Sequence, residues 1–153
     1  MLRQLEGLAK WAHLLLQLFL GFIFVMHGAQ KLFGPSFYGF PWAGYLGFFT
    51  KFGITPAPLW LWAVTITEFF GGICVLFGFL TRIWAAGMVI DMTVAILKIH
   101  INIGFFWLTQ GGGLEFPLTL GVVALALFLM GPSFLSVDRA LGLERRTTKE
   151  NRQ

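Results

Sequence analysis

The chain has 153 residues, of which 57% are hydrophobic and only 12% are charged. Soluble domains carry about 25% charged residues, so the composition excludes an ordinary water-soluble domain. Residues 1–10 and 138–153 hold eleven of the eighteen Asp, Glu, Lys and Arg side chains. We therefore expect the residues between these two ends to be dissolved in lipid.

The net charge of +4 and the cysteine content bear on which partners and covalent cross-links the chain can have. The positive charge lies mostly in the tails, with no basic stripe inside a folded domain, so it favours contact with anionic lipid headgroups over nucleic acid. The single cysteine, Cys74, excludes an internal disulfide.

The first apolar segment covers residues 11–33. It is long enough to cross a bilayer, whose core of roughly 30 Å needs about 20 helical residues. Arg3 and Lys10 precede it, as basic residues precede a signal peptide. The apolar run is long for a signal, however, and Gly28-Ala29-Gln30 is a poor cleavage site, so we expect a retained span.

The loop after this span has a helical pattern of its own. Trp42, Tyr45, Leu46 and Phe49 stand at i, i+3, i+4 and i+7, which places them on one face of a helix. The pattern predicts a short amphipathic helix that lies in the membrane interface or caps the bundle.

Three further spans are predicted at residues 58–80, 83–101 and 116–137. The two-residue link Thr81-Arg82 forces the second and third spans into an antiparallel hairpin, and Pro132 is expected to kink or end the fourth. Because lipid offers no partner to an open strand edge, the fold class is an all-α integral membrane protein, a four-helix transmembrane bundle. Residues 1–137 form the membrane domain and 138–153 a polar tail.

The basic residues also predict the orientation. With four spans, one side of the membrane receives eight of them, and only Lys31, Lys51 and Lys98 fall on the other side. The eight are Arg3, Lys10, Arg82, Arg139, Arg145, Arg146, Lys149 and Arg152. The positive-inside bias therefore predicts a multi-pass protein of the cytoplasmic membrane with both termini in the cytoplasm.

Ionisable side chains inside the spans are the candidate functional residues, because they are costly in lipid. Glu68 and Asp91 fall near the middle of the bilayer. His27 and His100 lie about 24 and 25 Å from the inner ends of their helices, at a rise of 1.5 Å per residue. Lys31 follows His27 by one turn on the same face, and Glu115 stands at the outer mouth of the fourth span.

Structural explanations exist for most of these residues. Lys31, Lys98, His100 and Glu115 are near enough to helix ends to extend to the interface. His27 can be a buried histidine bonded to a carbonyl, and Asp91 can pair with Lys98, seven residues later on the same face. Glu68 is harder to explain in this way, since a carboxylate at mid-bilayer must be protonated, paired or facing a cavity.

Several short motifs in chain order resemble the DoxX family of small four-span membrane proteins. The resemblance covers nearly the whole chain. The matching segments are Phe24–Gly34 with its His27-Gly-x-x-Lys31-Leu core, Thr67–Gly72 with the continuation to Arg82, Ala95–His100, Glu115–Pro117 and Gly131–Asp138. Asp91 stands where the resemblance implies an apolar residue.

The resemblance implies a bacterial-type cytoplasmic membrane protein linked to redox chemistry. Some members of the family are associated with thiosulfate oxidation that feeds electrons to quinone, and others with oxidative or electrophile stress. A protein partner in a redox complex is also expected, because the sequence shows no evident source of electrons, and self-association into a homo-oligomer is left open.

The first functional hypothesis is a quinone-linked subunit with an outer-half polar cavity. Glu68 and His27 are its predicted catalytic residues, and Lys31, His100, Glu115 and Asp91 its predicted ligand-binding residues. A histidine or lysine can donate a hydrogen bond to a quinone carbonyl, and a buried carboxyl can relay a proton. The sequence has no flavin, nicotinamide or iron–sulfur motif, so electrons would come from the partner.

Three alternatives use the same residues differently. Haem b would need His27 and His100 as axial ligands, and is less favoured because two histidines at similar depth are a weak pattern. A small-solute or proton-coupled transporter would use Glu68 and Asp91, but four spans are few and no inverted repeat is visible. A non-catalytic scaffold for a partner enzyme would need the carboxylates only for packing. No metal site is predicted.

Overall fold

The computed structural model describes residues 2–106, 108 and 112–144 of the chain. Within these ranges the regular elements are helices and no strand forms. The α-helices are α1 (Leu2–Phe33), α2 (Trp42–Lys51), α3 (Ala57–Phe77), α4 (Thr81–Ala95), α5 (Glu115–Met130) and α6 (Val137–Ala140). A 3₁₀ turn, Gly34–Phe37, follows α1, and a π-helical turn, Ile96–His100, continues α4.

The helical membrane bundle predicted from the sequence is confirmed. Among the described residues, three segments are long and apolar enough to cross a bilayer: Leu8–Phe37, Ala57–Phe77 and Thr81–His100. The fourth apolar helix, α5, has 16 residues and is therefore about 24 Å long. It ends at Met130 rather than at the predicted residue 137, because Gly131 has a φ of 77° and Pro132 follows it.

The bundle is assembled from two closely packed helix pairs. α1 packs along α3, α4 packs along α5, and the α3–α4 hairpin joins the two pairs. The main core lies between them and is formed by Leu20, Phe24, Val75, Ala85, Met88, Met92, Leu120, Ala124 and Leu127.

Glycines allow the backbones of α1 and α3 to touch. A Cβ atom at Gly28 would overlap the backbone nitrogen of Phe69, and one at Gly72 would lie 2.7 Å from the nitrogen of Val25. Small residues at helix contacts in membranes permit this close approach, which increases van der Waals contact where lipid weakens the hydrophobic effect.

The short helix predicted in the first loop is also present. Phe49 is buried with Ile54, Ala57 and Leu61, and Trp42, Tyr45 and Leu46 pack against this cluster. α2 therefore lies against the start of α3. We call the side of the bundle that holds α2, the end of α1 at Phe33 and the π-helical turn after α4 the α2 end. We call the opposite side, which holds the start of α1, the α3–α4 link and the end of α5 at Met130, the terminal end.

The terminal end is closed by residues 131–138. The Asp138 carboxylate accepts hydrogen bonds from the backbone N–H groups of Leu80 (2.7 Å) and Thr81 (3.0 Å), where α4 begins. Gln17 of α1 accepts one from the N–H of Ser133 at 2.8 Å. Asp138, predicted as the start of a polar tail, is thus only 3% exposed because it caps a helix. Residues 145–153 of that tail lie outside the described residues.

Replacing Gly28 by Ala should destabilise the bundle by about 2 kcal/mol, because the added methyl group forces α1 and α3 apart. Gly47→Ala is the matched control, since a Cβ there meets nothing within 4 Å. It should leave stability unchanged or raise it by about 0.5–1 kcal/mol through helix propensity. Thermal unfolding of both variants in the same detergent measures the difference, and equal stabilities would contradict the close contact.

Asp138→Ala should cost about 2 kcal/mol, because the first N–H groups of α4 lose a charged acceptor at a buried site. Glu144→Gln provides the control. Glu144 pairs with Arg82, but its side chain is 31% exposed, so its loss should cost less than about 1 kcal/mol. Unfolding in mixed detergent measures both, and an Asp138→Ala protein as stable as the control would show that the cap is dispensable.

Candidate functional site

A cavity of about 260 Å³ lies among α1, α3, α4 and α5. We call it the central cavity. Its lining residues come from all four helices and from the π-helical turn: Phe24, His27, Glu68, Met92, Ala95, His100, Phe116, Pro117 and Leu120. Three of the ionisable residues selected from the sequence, His27, Glu68 and His100, therefore face the same space.

Glu68 is held by an ion pair with Lys31. The Lys31 Nζ atom donates to Glu68 Oε2 at 2.5 Å, and the two side chains are 15% and 6% exposed. Lys31 reaches Glu68 because it follows His27 by one turn and because Gly28 lets α1 approach α3 closely. The carboxylate at mid-bilayer is thus both paired and adjacent to a cavity.

The two histidines approach the central cavity from different helices. The ring of His27 lies 5.9 Å from that of Phe116, centroid to centroid. The Nδ1 atom of His100 is 2.9 Å from the carbonyl oxygen of Gly112. A carbonyl only accepts, so this contact requires the proton on Nδ1 and leaves Nε2 as an acceptor when the ring is neutral.

The π-helical turn sets the direction of the side chains of residues 96–100, which follow α4. The N–H of Ile101 donates to the carbonyl of Ile96 at 2.9 Å, an i to i+5 bond. Within this wider turn, neighbouring side chains face different cavities: His100 lines the central cavity and Lys98 lines a second one. Such turns are frequent at functional sites.

Asp91 lies outside the central cavity. It lines a second cavity of about 360 Å³ between α3, α4 and the loop after α2, which we call the lateral cavity. Lys98 lines the same cavity, but among the described residues the ion pairs are Lys31–Glu68 and Arg82–Glu144. The pairing of Asp91 with Lys98 considered from the sequence is therefore not formed, and Asp91 Oδ2 is buried without a hydrogen-bond partner.

Glu115 begins α5 and is half-buried. Its backbone N–H donates to the carbonyl of Phe105 at 3.0 Å, and its carbonyl accepts from the Thr119 hydroxyl at 2.8 Å. It is not among the residues that line the central cavity. The structure thus gathers four of the six predicted residues at one place and puts Asp91 and Glu115 elsewhere, while the roles assigned to all six stay predictions.

Some residues that shape the site carried no usable sequence signal. Phe24, Met92 and Leu120 form cavity wall, but similar side chains occur throughout every span. Gln17 did carry a signal that was missed: it is a polar residue inside an apolar span, and it is fully buried where it accepts from Ser133. Burying a polar group without a partner is costly, so a partner for the amide oxygen could have been expected, whereas the Nε2 atom of Gln17 has none among the described residues.

Comparison with known proteins identifies the family. The sequence model of the DoxX family matches residues 12–101, more than half of the chain, and confirms the resemblance seen in the motifs. The chain is 29% identical to the "Putative oxidoreductase CatD" of Bacillus subtilis, covering 82% of this chain and 83% of that protein. It is 28% identical to the "Uncharacterized membrane protein Rv3486" of Mycobacterium tuberculosis, covering 82% and 78%. No solved structure matches significantly.

Breaking the Lys31–Glu68 pair from either side should destabilise the protein more than removing both charges. Lys31→Met alone should cost about 3 kcal/mol, since it leaves a carboxylate unpaired in a buried position. The double variant with Glu68→Gln should recover much of that loss. A double-mutant cycle in detergent unfolding measures the coupling, and strictly additive effects would mean that the pair does not form in the membrane.

Proposed function

The chain belongs to the DoxX family, and from this premise we propose that it is the membrane subunit of a quinone-linked redox system. The central cavity would bind the quinone headgroup. The observation that carries the proposal is that two imidazoles and the carboxylate of the Lys31–Glu68 pair line one apolar cavity inside a membrane bundle. The relative named as an oxidoreductase supports a redox role.

The size and lining of the central cavity fit a small ring. Its volume of about 260 Å³ is just below the range of roughly 300–1,000 Å³ found for small-molecule sites. Phe24, Phe116 and Leu120 offer apolar walls, and His27, His100 and Glu68 offer polar contacts. A headgroup fits this space if its apolar tail extends between helices into the lipid. A haem macrocycle is larger than the cavity, so we favour quinone over haem.

A bound quinone would supply reversible transfer of electrons and protons. The chain's own residues would bind it and handle the protons. His27 and the Lys31 ammonium are the hydrogen-bond donors suited to a carbonyl oxygen, and the Nε2 atom of neutral His100 is suited to accept from a hydroxyl. Glu68 would hold Lys31 in position, while the apolar walls exclude water.

We further propose that the α2 end faces outward and the terminal end faces the cytoplasm. Lys10 and Arg82 belong to the terminal end, as does Arg139, so the positive-inside bias favours this orientation. The central cavity would then open in the outer half of the cytoplasmic membrane. Electrons would arrive from a protein partner, since the chain contains no motif for an electron-carrying cofactor.

A scaffold is the second candidate, and the Lys31–Glu68 pair is the observation that favours it. A carboxylate that is already neutralised by a lysine has a sufficient structural role in holding α1 against α3. The two functions differ in whether the central cavity is occupied by a ligand in the native membrane.

Protein extracted into nanodiscs with its native lipids should contain about one quinone per chain, and Glu68→Gln should lower this amount about tenfold, as expected for loss of a charged hydrogen-bond partner. Solvent extraction and chromatography measure the quinone. Glu144→Gln, the same chemical change at the terminal end, should retain it. Quinone-free protein that still captures a partner enzyme would support the scaffold, and a Soret band would support haem.

A further inference from the structure

The lateral cavity is larger than the central one and has a different chemistry. Its volume is about 360 Å³, and its walls are mostly apolar. Phe49 and Ile54 contribute from the α2 side, and Trp60 and Val64 from α3. Close approach of the helices narrows it at Gly87, where a Cβ would lie 3.2 Å from the Thr67 methyl carbon.

Asp91 is the polar group of this cavity that lacks a partner. Its Oδ2 atom is buried and makes no hydrogen bond, although a buried carboxyl oxygen without a donor is costly. The nearby ammonium of Lys31 is already bonded to Glu68. Lys98 lines the cavity too, but forms no ion pair with Asp91 and is exposed to the surroundings. The Oδ2 atom of Asp91 can therefore accept a hydrogen bond that none of the described residues donates.

We propose that the lateral cavity is a second ligand site, for a neutral, ring-bearing apolar molecule whose hydroxyl group donates a hydrogen bond to Asp91. The apolar walls select an apolar body, and Phe49 and Trp60 offer ring contacts. Asp91 selects a donor. Lys98, at the α2 end of the cavity, disfavours a cation, so the donor is a hydroxyl group rather than an ammonium group.

This site is separate from the proposed quinone site, although Asp91 lies near enough to Glu68 and Lys31 to interact with both charges. Asp91 does not line the central cavity, Glu68 does not line the lateral one, and the residue common to both is the apolar Ala95. The polar groups are also of opposite kind, because His27 and Lys31 can donate at the central cavity whereas Asp91 accepts at the lateral one. Failure of either proposal therefore leaves the other standing.

The test compares two probes that differ only in the donor. 4-Bromophenol carries a hydroxyl group, and 4-bromoanisole carries the same bromine and ring with a methyl ether. Bromine quenches tryptophan fluorescence on contact, and Trp60 lines the cavity. Tryptophan fluorescence is measured on the full-length protein in nanodiscs. The part of the quenching that is absent in the Trp60→Phe variant is the signal assigned to the lateral cavity.

We expect the concentration that gives half of this quenching to be at least about fivefold lower for 4-bromophenol than for 4-bromoanisole. One hydrogen bond to a carboxylate is strong enough to produce such a difference. Asp91→Leu should abolish the preference and keep the binding of the ether. Glu144→Gln removes a carboxylate that lines neither cavity, and as the control it should keep the preference. Ala63→Phe offers a second variant that should preserve folding, because Ala63 is exposed while lining the cavity, and it should weaken quenching by both probes.

Four outcomes would overturn the proposal. Equal quenching by the two probes would mean that the cavity is a groove for lipid chains. Stronger quenching by 4-bromobenzylamine, which is cationic, would mean a cation site. A preference that survives Asp91→Leu would place the acceptor elsewhere, and one that disappears in Glu144→Gln would mean that it does not depend on Asp91 in particular.

Discussion

The ion pair between Lys31 and Glu68 is the constraint on which the arrangement of the bundle depends. A carboxylate near the middle of a bilayer is costly unless it is paired, so the ion pair favours the rotations of α3 that bring Glu68 to α1. The partner sits one turn after His27, which means that the same rotation brings His27 to the cavity. Gly28 makes the required approach possible by leaving room for the Phe69 backbone.

The two ends of the bundle are fixed by different means. At the terminal end, directed hydrogen bonds from Asp138 and Gln17 join the chain after α5 to the α3–α4 link and to α1. At the α2 end, the amphipathic α2 is held against α3 mainly by apolar packing.

The sequence predicted the elements better than their rotations. Apolar length identified the spans, the i, i+3, i+4 pattern identified α2, and depth along each helix placed His27 and His100 at nearly matching levels and Glu68 near the middle of the bilayer. Periodicity does not reveal which neighbour a face meets, so Asp91 was grouped with Glu68 although the two face different cavities. The cap formed by Asp138 depends on contacts with Leu80 and Thr81, which are distant in sequence, and no local pattern encodes them.

The separation of Asp91 from Glu68 also explains how one small bundle can hold two carboxyl groups at similar depth. Glu68 is neutralised within the protein by Lys31, at the contact of α1 with α3. The Oδ2 atom of Asp91 has no hydrogen-bond partner among the described residues, and α4 turns this side chain toward the lateral cavity. A group in that position is tolerated only if something outside the bundle can reach it or if it stays protonated. The same geometry that excludes Asp91 from the central site therefore leaves it available to a molecule arriving from the membrane.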